Sequence, residues 1–310
     1  MSLIEQAAKR LEELRRTGVE VPDMASGAAV SDATPASAIE KASAHLHATA
    51  PLRREPDTRS GTAGPAIAQA DAPAPDRGQR VHLDLARLAA AGIVTPDAPR
   101  SQMADEYRVI KRPLITNATG KGAAPIRNGN LIMVTSALPG EGKSFTAINL
   151  AMSIAMELDH TVLLVDADVA RPSVPQMIGL PPSRGLLDVL VDDVDLGEVM
   201  LKTDVEKLSI LTSGSPHARA TELLASDAMN RLLEDMARRY ADRIIIFDSP
   251  PLLVTTESRV LATHMGQIVI VVEAQRTQQS AVKQALATIE SCPVKMMLLN
   301  KGRAASSADT

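Results

Sequence analysis

The residues with the most evident chemistry lie in the segment 131–145, which reads LIMVTSALPGEGKSF. An apolar run typical of a strand breaks into a glycine-containing turn, and a helix-forming stretch follows. This order directs backbone N–H groups and the positive end of a helix dipole at one point, where phosphate oxygens can bind. Lys143 adds a positive charge for the β- and γ-phosphates, and Ser144 adds a hydroxyl ligand for Mg²⁺. The segment therefore predicts a phosphate-binding loop.

This loop follows the pattern G-x-x-x-x-G-K-[ST] except at its first position, where Ala137 replaces glycine. Alanine can hold the turn only if φ stays negative there. A chance match is disfavoured because the strand before the turn and the helix after it are both present. The residues predicted to contact a nucleotide here are Pro139, Gly140, Glu141, Gly142, Lys143, Ser144 and Phe145.

Two further segments each end a β-branched run with aspartate, namely TVLLVDADVARP at 161–172 and RIIIFDSPP at 243–251. Their carboxylates should emerge at the carboxyl ends of strands in an open α/β sheet, where ligands bind. We expect Asp166, Asp168 and Asp248 to converge on a Mg²⁺ ion held by the nucleotide, with Asp248 as the Walker B-type acid. A single aspartate of this kind often only caps a turn, but three beside a phosphate loop favour a site.

Composition narrows the function classes. The 310-residue chain carries a net charge of −4 and has a pI near 5.9. It has no Lys/Arg stripe with interleaved aromatic residues, so we expect no nucleic-acid partner. Cys292 is the only cysteine, which rules out an internal disulfide. No apolar run reaches the roughly 18 to 20 residues of a membrane span, and no signal-peptide core is found, so a cytoplasmic location is predicted.

The chain divides into four predicted segments. Residues 1–18 form an amphipathic helix, which is either solvated or a docking element for a partner or a membrane surface. Residues 19–80 are an Ala/Pro-rich linker without apolar periodicity and are expected to be disordered. Residues 81–303 form one folded domain, and residues 304–310 form a flexible tail.

Within the folded domain, short apolar runs alternate with longer helical stretches. A short helix is predicted within 83–98, with stops at Gly92 and Pro96, and a charged helix over 104–112 should end at Pro113. This alternation predicts βαβ crossovers and an α/β fold, a doubly wound, mainly parallel sheet covered on both faces. The predicted strands are 131–135, 162–166, 208–212, 243–248, 268–273 and 294–299, and the predicted longer helices are 143–158, 220–240 and 277–291.

Taken together, SALPGEGKS, VDADVARP and FDSPP resemble the motifs of the bacterial tyrosine kinases, P-loop enzymes related to the cell-division ATPase MinD. The segments MSLIEQAAKRLEELRR, EYRVIKRPL, DSPPLLVTTES and ATIESCPV further resemble the tyrosine autokinase of exopolysaccharide loci associated with exosortase/PEP-CTERM sorting. The resemblance covers the N-terminal helix and nearly all of 81–301, and it does not extend over the linker.

This resemblance implies a MinD-like P-loop fold that uses ATP and Mg²⁺. Lys143 would clamp the phosphates, and Ser144 would be a Mg²⁺ ligand. Asp168 and Asp248 would hold the metal directly or through water. Proteins catalyse phosphoryl transfer mostly by electrostatic stabilisation and by positioning the reactants. The third acid, Asp166, would therefore have a positioning role. Asp166 would accept the proton of the tyrosine hydroxyl.

The resemblance also assigns an adenine-reading role to Asn300, at the end of the last predicted strand; a turn-capping asparagine is the alternative. It implies a homo-oligomer, because the family's Glu-x-x-Arg-x-x-Arg contact helix corresponds here to Asp105, Arg108 and Lys111, with Arg112 beside them. A membrane-embedded polysaccharide chain-length regulator would be a separate activator. The chain would then lie peripherally at the inner membrane through that partner.

Three departures from the family pattern bear on activity. Ala170 stands where the family usually has arginine, and Arg171 follows it. The contact helix has Asp105, Arg108 and Lys111 where the family pattern has Glu, Arg and Arg. The C-terminus, KGRAASSADT, lacks the tyrosine cluster that the family commonly phosphorylates.

The leading interpretation is an ATP-dependent protein tyrosine kinase that regulates exopolysaccharide biosynthesis or export. The alternatives are a nucleotide-switched assembly ATPase without tyrosine phosphorylation and a MinD/ParA-like positioning ATPase. Tyr107 and Tyr240 are the only tyrosines in the chain. We expect weak or absent self-phosphorylation, with Tyr107 as the acceptor within the chain if there is one and Tyr240 as a packed ring.

Overall fold

A sheet of eight strands organises the described residues, 78–97 and 100–302, of this computed structural model. The order across the sheet is β1-β4-β5-β3-β6-β2-β7-β8, and all neighbours are parallel except β4 and β5. The strands are β1 (Arg80–Val81), β2 (Leu131–Ser136), β3 (Thr161–Asp166), β4 (Leu201–Thr203), β5 (Leu208–Leu211), β6 (Arg243–Asp248), β7 (Gln267–Glu273) and β8 (Val294–Asn300).

Six of these strands confirm the sequence prediction to within about one residue at each end. The two that it missed, β1 and β4, have only two and three residues, too few to show a period. The segments predicted as the N-terminal helix (1–18) and the flexible tail (304–310), and nearly all of the predicted linker (19–80), lie outside the described residues.

Helices connect the strands and cover both faces of the sheet. Their bounds are α1 (Leu85–Ala90), α2 (Gln102–Ala118), α3 (Lys143–Ala155), α4 (Val174–Ile178), α5 (Leu186–Asp192), α6 (Leu196–Val199), α7 (Ala220–Leu224), α8 (Asp227–Arg239), α9 (Glu257–Ala262) and α10 (Gln279–Ala287). None of the helices in the described part of the chain has both the length and the apolar character that a bilayer span requires.

The core lies on both sides of the sheet, as the predicted doubly wound architecture requires. Along β2, Ile132 and Val134 join an apolar cluster with Leu150 of α3, whereas Met133 joins a second cluster with Leu233 of α8. Successive side chains of a strand point to opposite faces, so a strand buried on both faces is apolar throughout. This explains why β2 could be recognised as a continuous apolar run.

The register brings the catalytic candidates to one edge of the sheet. Asp166, the last residue of β3, is paired with Asp248, the last residue of β6, and Asp248 is also paired with Val134 of β2. Parallel strands have their carboxyl ends at the same edge, where open α/β sheets bind ligands. The predicted phosphate loop leaves β2 at this same edge.

The predicted end of the charged helix at Pro113 is wrong, because α2 continues through Pro113 to Ala118. An internal proline removes one helix hydrogen bond and costs roughly 3 kcal/mol. The hydrogen bond that is lost is the one to the carbonyl of Val109, a residue that is largely exposed. Leu114 is fully buried in the core, and its packing favours the longer helix.

The other predicted helices differ in their limits. The stretch 220–240 forms two helices, α7 and α8, because the Ser226 hydroxyl accepts a hydrogen bond from the Met229 N–H (3.3 Å) and caps a new helix there. The helix within 83–98 is only α1, which begins after Asp84 and is followed by Gly92 at a φ of +81°.

Candidate active site

The phosphate-type loop connects β2 to α3 at the edge where the aspartates lie. Its backbone takes positive φ angles at Gly140 (+85°) and Gly142 (+97°), which residues with a side chain rarely adopt. The φ of Ala137 is not positive, as its alanine requires. Lys143 is the first residue of α3, so the N-terminus of a 13-residue helix opens onto the loop. The loop therefore has the geometry of a phosphate cradle.

Lys143 joins the predicted catalytic residues into one cluster. Its Nζ lies 2.8 Å from Asp168 Oδ2, 3.9 Å from Asp248 Oδ1 and 3.3 Å from Ser144 Oγ. Burial alone would lower the pKa of Lys143, but the charges of Asp248 and Asp168 outweigh burial and raise it. The lysine is thus a charged ammonium held between two carboxylates.

Asp248 is completely buried, and neither of its carboxylate oxygens accepts a hydrogen bond of ordinary geometry from the described residues, although the Ser144 hydroxyl is close enough to lower its pKa. Burial raises the pKa of Asp248 to about 6, although the Lys143 charge opposes this shift. Buried carboxylate oxygens are normally paired, so this pair is available to a ligand such as a cation or its water. This observation fits the Walker B-type role.

Ser144 and Asp168 are held in place by the loop that follows β3. The Ser173 hydroxyl donates to Ser144 Oγ at 2.8 Å, and Asp168 Oδ1 accepts from the N–H of Arg171 at 3.2 Å. Ser173 was missed in the sequence because nothing in its local pattern distinguishes it from other loop serines. The displaced arginine, Arg171, is exposed and contributes its backbone N–H to this arrangement.

Asp166 lies under this same loop. One oxygen accepts from the N–H of Asp168 (3.2 Å), and the other accepts from those of Ser173 (3.1 Å) and Val174 (3.0 Å). Burial, together with the charge of Asp248, raises the pKa of Asp166 to about 7. These contacts show that Asp166 shapes the loop, and its assignment as proton acceptor stays a prediction.

The remaining nucleotide-binding candidates lie on the loop or beside it. The carboxylate of Glu141 is buried and turns back into the loop, where Oε2 accepts from the Leu138 N–H at 2.6 Å. The Asn300 amide donates to the Glu141 carbonyl at 2.9 Å, so Asn300 contacts the loop itself.

The Phe145 ring packs against the core beside Gly92, which leaves the backbone of Phe145 as the part that could face a phosphate. Pro139 is exposed at the loop surface.

The predicted contact helix is only partly available for self-association. Arg108 pairs with Asp105 at 2.6 Å on the surface, and Arg112 is exposed. Lys111 is buried instead, with its Nζ 2.5 Å from the Ser153 carbonyl and 2.6 Å from Glu157 Oε1. The assignment of Lys111 to a contact surface is therefore corrected: its ammonium fastens α2 to the end of α3.

The two tyrosines differ from each other in accessibility. Tyr107 is 6% exposed, and burial raises its pKa to about 12. A hydroxyl packed in the core is out of reach of a γ-phosphate, so we expect that Tyr107 is not an acceptor in the folded chain. Tyr240 is half-buried, and the Arg243 guanidinium lies 5.1 Å from its ring centroid. This confirms the packed, partly buried ring expected at Tyr240.

The residues present fit a metal that arrives with a nucleotide. Among the described residues, no group of three or more His, Cys, Asp or Glu is arranged to hold an ion by itself. Mg²⁺ is commonly bound by one or two carboxylates together with water and substrate phosphates. Asp168, Asp248 and the Ser144 hydroxyl could supply the protein's share once Lys143 turns toward phosphate oxygens.

Comparison with known proteins identifies relatives of this chain. A family model described as an AAA domain matches residues 129–300. The tyrosine-protein kinase YwqD of Bacillus subtilis (strain 168) is 31% identical over 205 residues, covering 66% of this chain and 83% of YwqD. The crystal structure of the VpsO kinase domain matches with a TM-score of 0.53 and 28% identity, covering 66% of this chain and all (100%) of that domain.

One similar protein is much longer than the region it shares with this chain. The succinoglycan biosynthesis transport protein ExoP of Rhizobium meliloti (strain 1021) is 34% identical over 196 residues. The match covers 62% of this chain but 24% of ExoP, so the chain corresponds to about a quarter of that protein.

Proposed function

The chain belongs to the bacterial tyrosine kinase family, and from that premise we propose that it transfers the γ-phosphoryl group of Mg·ATP to a tyrosine hydroxyl. The observation that carries this proposal is the cluster around Lys143. Asp168, Asp248 and Ser144 all lie within 3.9 Å of its ammonium, at the end of a phosphate-type loop. An anion-binding loop and metal-binding acids thus meet at one point.

The residues of the chain divide the work of transfer. Loop N–H groups and the Lys143 ammonium bind the β- and γ-phosphates, and they favour the charge that develops there. Asp168 and Asp248, with Ser144, would hold Mg²⁺, which supplies positive charge to the phosphate oxygens. The bond from the γ-phosphorus to the bridging oxygen of ADP breaks as the bond to the tyrosine oxygen forms. Lys143 enters the reaction as a charged ammonium, because Asp248 and Asp168 raise its pKa in the site without nucleotide.

Asp166 is proposed to take the proton of the tyrosine hydroxyl. Its raised pKa of about 7 suits a group that must accept and release a proton near neutral pH. Its present hydrogen bonds to Ser173 and Val174 would have to loosen on one oxygen for this to occur. An adenine-reading role for Asn300 is supported by the family resemblance alone.

The proposed setting is exopolysaccharide biosynthesis or export, which the name of the relative ExoP supports. A membrane-embedded polysaccharide chain-length regulator is the proposed activator, and it would bring the chain to the cytoplasmic face of the inner membrane. Self-association through Asp105, Arg108 and Arg112 is proposed because all three remain at the surface of α2. The locus associated with exosortase/PEP-CTERM sorting remains part of this proposal.

A second candidate function is a nucleotide-switched assembly ATPase that hydrolyses ATP without phosphorylating tyrosine. The buried Tyr107 favours it over self-phosphorylation, because the described residues then offer only the half-buried Tyr240 as an acceptor. A MinD/ParA-like positioning ATPase is the third. Both alternatives predict ADP formation that needs no tyrosine substrate.

The proposal is tested by incubating the full chain with γ-labelled ATP, Mg²⁺ and a synthetic Glu/Tyr copolymer. Label should enter phosphotyrosine of the copolymer and should be lost when EDTA removes Mg²⁺. Label found only in inorganic phosphate, with and without the copolymer, would reject tyrosine transfer and favour the assembly ATPase.

A further inference from the structure

We propose that Asn300 and Lys301, at the carboxyl end of β8, are positioning residues that hold two carbonyls of the phosphate loop and so aim its N–H groups at the ligand. This inference rests on the proposed nucleotide binding and deepens it. It also gives Asn300 a role different from reading adenine.

The two residues contact consecutive carbonyls of the loop. Lys301 Nζ donates to the carbonyl of Gly140 at 2.8 Å, and Asn300 Nδ2 donates to the carbonyl of Glu141 at 2.9 Å. Both contacts join parts of the chain about 160 residues apart, since the first spans 161 positions and the second 159. They are tertiary contacts that the loop cannot make by itself.

The orientation of the N–H groups follows from the planarity of the peptide. In a trans peptide the C=O of one residue and the N–H of the next point in opposite directions. Lys301 holds the Gly140 carbonyl, so the Glu141 N–H points away from Lys301. Asn300 holds the Glu141 carbonyl, so the Gly142 N–H points away from Asn300. Neither N–H has a hydrogen-bond partner among the described residues, so both remain available to phosphate oxygens.

The backbone at Lys301 is in an unusual conformation that supports this role. Its φ is +57°, in the left-handed region that non-glycine residues seldom occupy. Its own N–H donates to Asn300 Oδ1 at 2.9 Å, so the asparagine side chain links the two residues. Such conformations persist only where the surroundings enforce them, and they cluster at ligand sites.

Neighbouring residues complete the arrangement. Glu273 Oε2, at the end of β7, lies 3.3 Å from Lys301 Nζ and fixes the position of the ammonium. A side chain at Gly142 would overlap the Asn300 amide, so glycine is needed there for the contact as well as for its positive φ. The Thr277 hydroxyl also contacts the buried Glu141 carboxylate. The loop is therefore held from the ends of β7 and β8.

The competing role for Asn300 makes a different prediction about base selectivity. A residue that reads the adenine edge affects adenine and guanine nucleotides unequally, because a base-specific hydrogen bond is lost. A residue that positions the phosphate loop affects both nucleotides by the same factor. Comparing Mg·ADP with Mg·GDP therefore separates the two roles.

The test is calorimetric titration of Mg·ADP and Mg·GDP into the full chain and its variants Asn300→Ala, Lys301→Met and Lys301→Arg. We expect Asn300→Ala and Lys301→Met each to weaken the binding of both nucleotides by about tenfold. This is the effect of losing one hydrogen bond that supports the binding loop. Lys301→Arg keeps a donor and should restore most of the affinity. Lys283→Met, on the exposed face of α10, is the matched control.

The outcomes separate this inference from the proposed function. No binding of Mg·ADP by the wild-type chain would overturn the proposed function and the inference together. Wild-type binding with unchanged affinity in Asn300→Ala and Lys301→Met would overturn the inference alone. A loss for Mg·ADP but not Mg·GDP in Asn300→Ala would overturn it in favour of adenine reading. Equal thermal unfolding of the nucleotide-free variants would exclude misfolding as the cause of a loss.

Discussion

The Lys143 ammonium lies 2.8 Å from the Asp168 carboxylate, so the group expected to bind phosphate is held by an acid expected to bind metal. Opposite charges at this distance attract strongly in a buried site. Mg·ATP brings both a cation for the acids and an anion for the lysine. We therefore propose that nucleotide binding exchanges the partner of Lys143, which would move from Asp168 to the phosphates.

Lys143→Met is expected to lose Mg·ATP binding. Methionine keeps most of the stem but removes the charge that faces the phosphates, and the loss of a charge-assisted contact corresponds to an affinity decrease on the order of a hundredfold. Titration calorimetry measures this directly. Lys283→Met serves as the control for a general effect of losing a lysine. Equal affinity in wild type and Lys143→Met would show that this loop is not the nucleotide site.

Asp248→Asn should change the pH dependence of stability. Burial raises the folded-state pKa of Asp248 to about 6, whereas an unfolded aspartate titrates near 3.9. The folded state binds more protons between these values, so wild-type stability falls as the pH rises through them. The variant lacks this titration. We therefore consider the free energy of unfolding of the variant minus that of the wild type. This difference should increase by about 1 kcal/mol when the pH rises from roughly 5 to 7.5.

Denaturant unfolding at the two pH values measures this difference, and Asp159→Asn, at an exposed aspartate, is the control. The same Asp248→Asn variant should lose Mg²⁺-dependent turnover, because one metal-facing charge is gone. A relative stability that stays constant with pH would mean that Asp248 is not the buried, ionising group described above.

Lys111→Met should destabilise the fold. The substitution leaves the Ser153 carbonyl without its donor and removes the partner of Glu157, whose pKa is lowered chiefly by its hydrogen bond to Lys111. A lost hydrogen bond of a buried group costs about 1 to 3 kcal/mol. Denaturant unfolding should show this loss, while Lys121→Met, at an exposed lysine, should change stability by less than about 0.5 kcal/mol. Equal stability of both variants would disprove the fastening role.

Reversing Arg108 and Arg112 to glutamate tests the proposed self-association surface without touching the buried lysine. The double variant should shift the mass measured by light scattering toward the monomer, because like charges then meet across the contact. Reversal of the exposed Arg231 and Arg238 on α8 is the matched control and should leave the mass unchanged. The surface would be rejected if both double variants gave the wild-type mass over a range of concentrations.

The sequence predicts the parts of this molecule that depend on local pattern. β3 and β6 could be recognised because strands buried on both faces are apolar throughout, and their terminal Asp166 and Asp248 then necessarily reach one edge. The helix was predicted to end at Pro113, but the packing of Leu114 in the core stabilises α2 beyond the proline, and a local pattern does not show this packing. The contact of Lys301 with Gly140 was not predictable, since it joins positions 161 residues apart. Such contacts depend on how the whole sheet assembles.

The central claim is tested most directly by measuring ADP and phosphotyrosine in the same reaction of the full chain with Mg·ATP and a Glu/Tyr copolymer. We predict that phosphotyrosine on the copolymer rises in step with ADP, that both are lost in Lys143→Met, and that mass spectrometry finds no phosphate on the buried Tyr107. ADP formed with an equal amount of inorganic phosphate, and no phosphotyrosine on any protein, would contradict the kinase and leave the assembly ATPase.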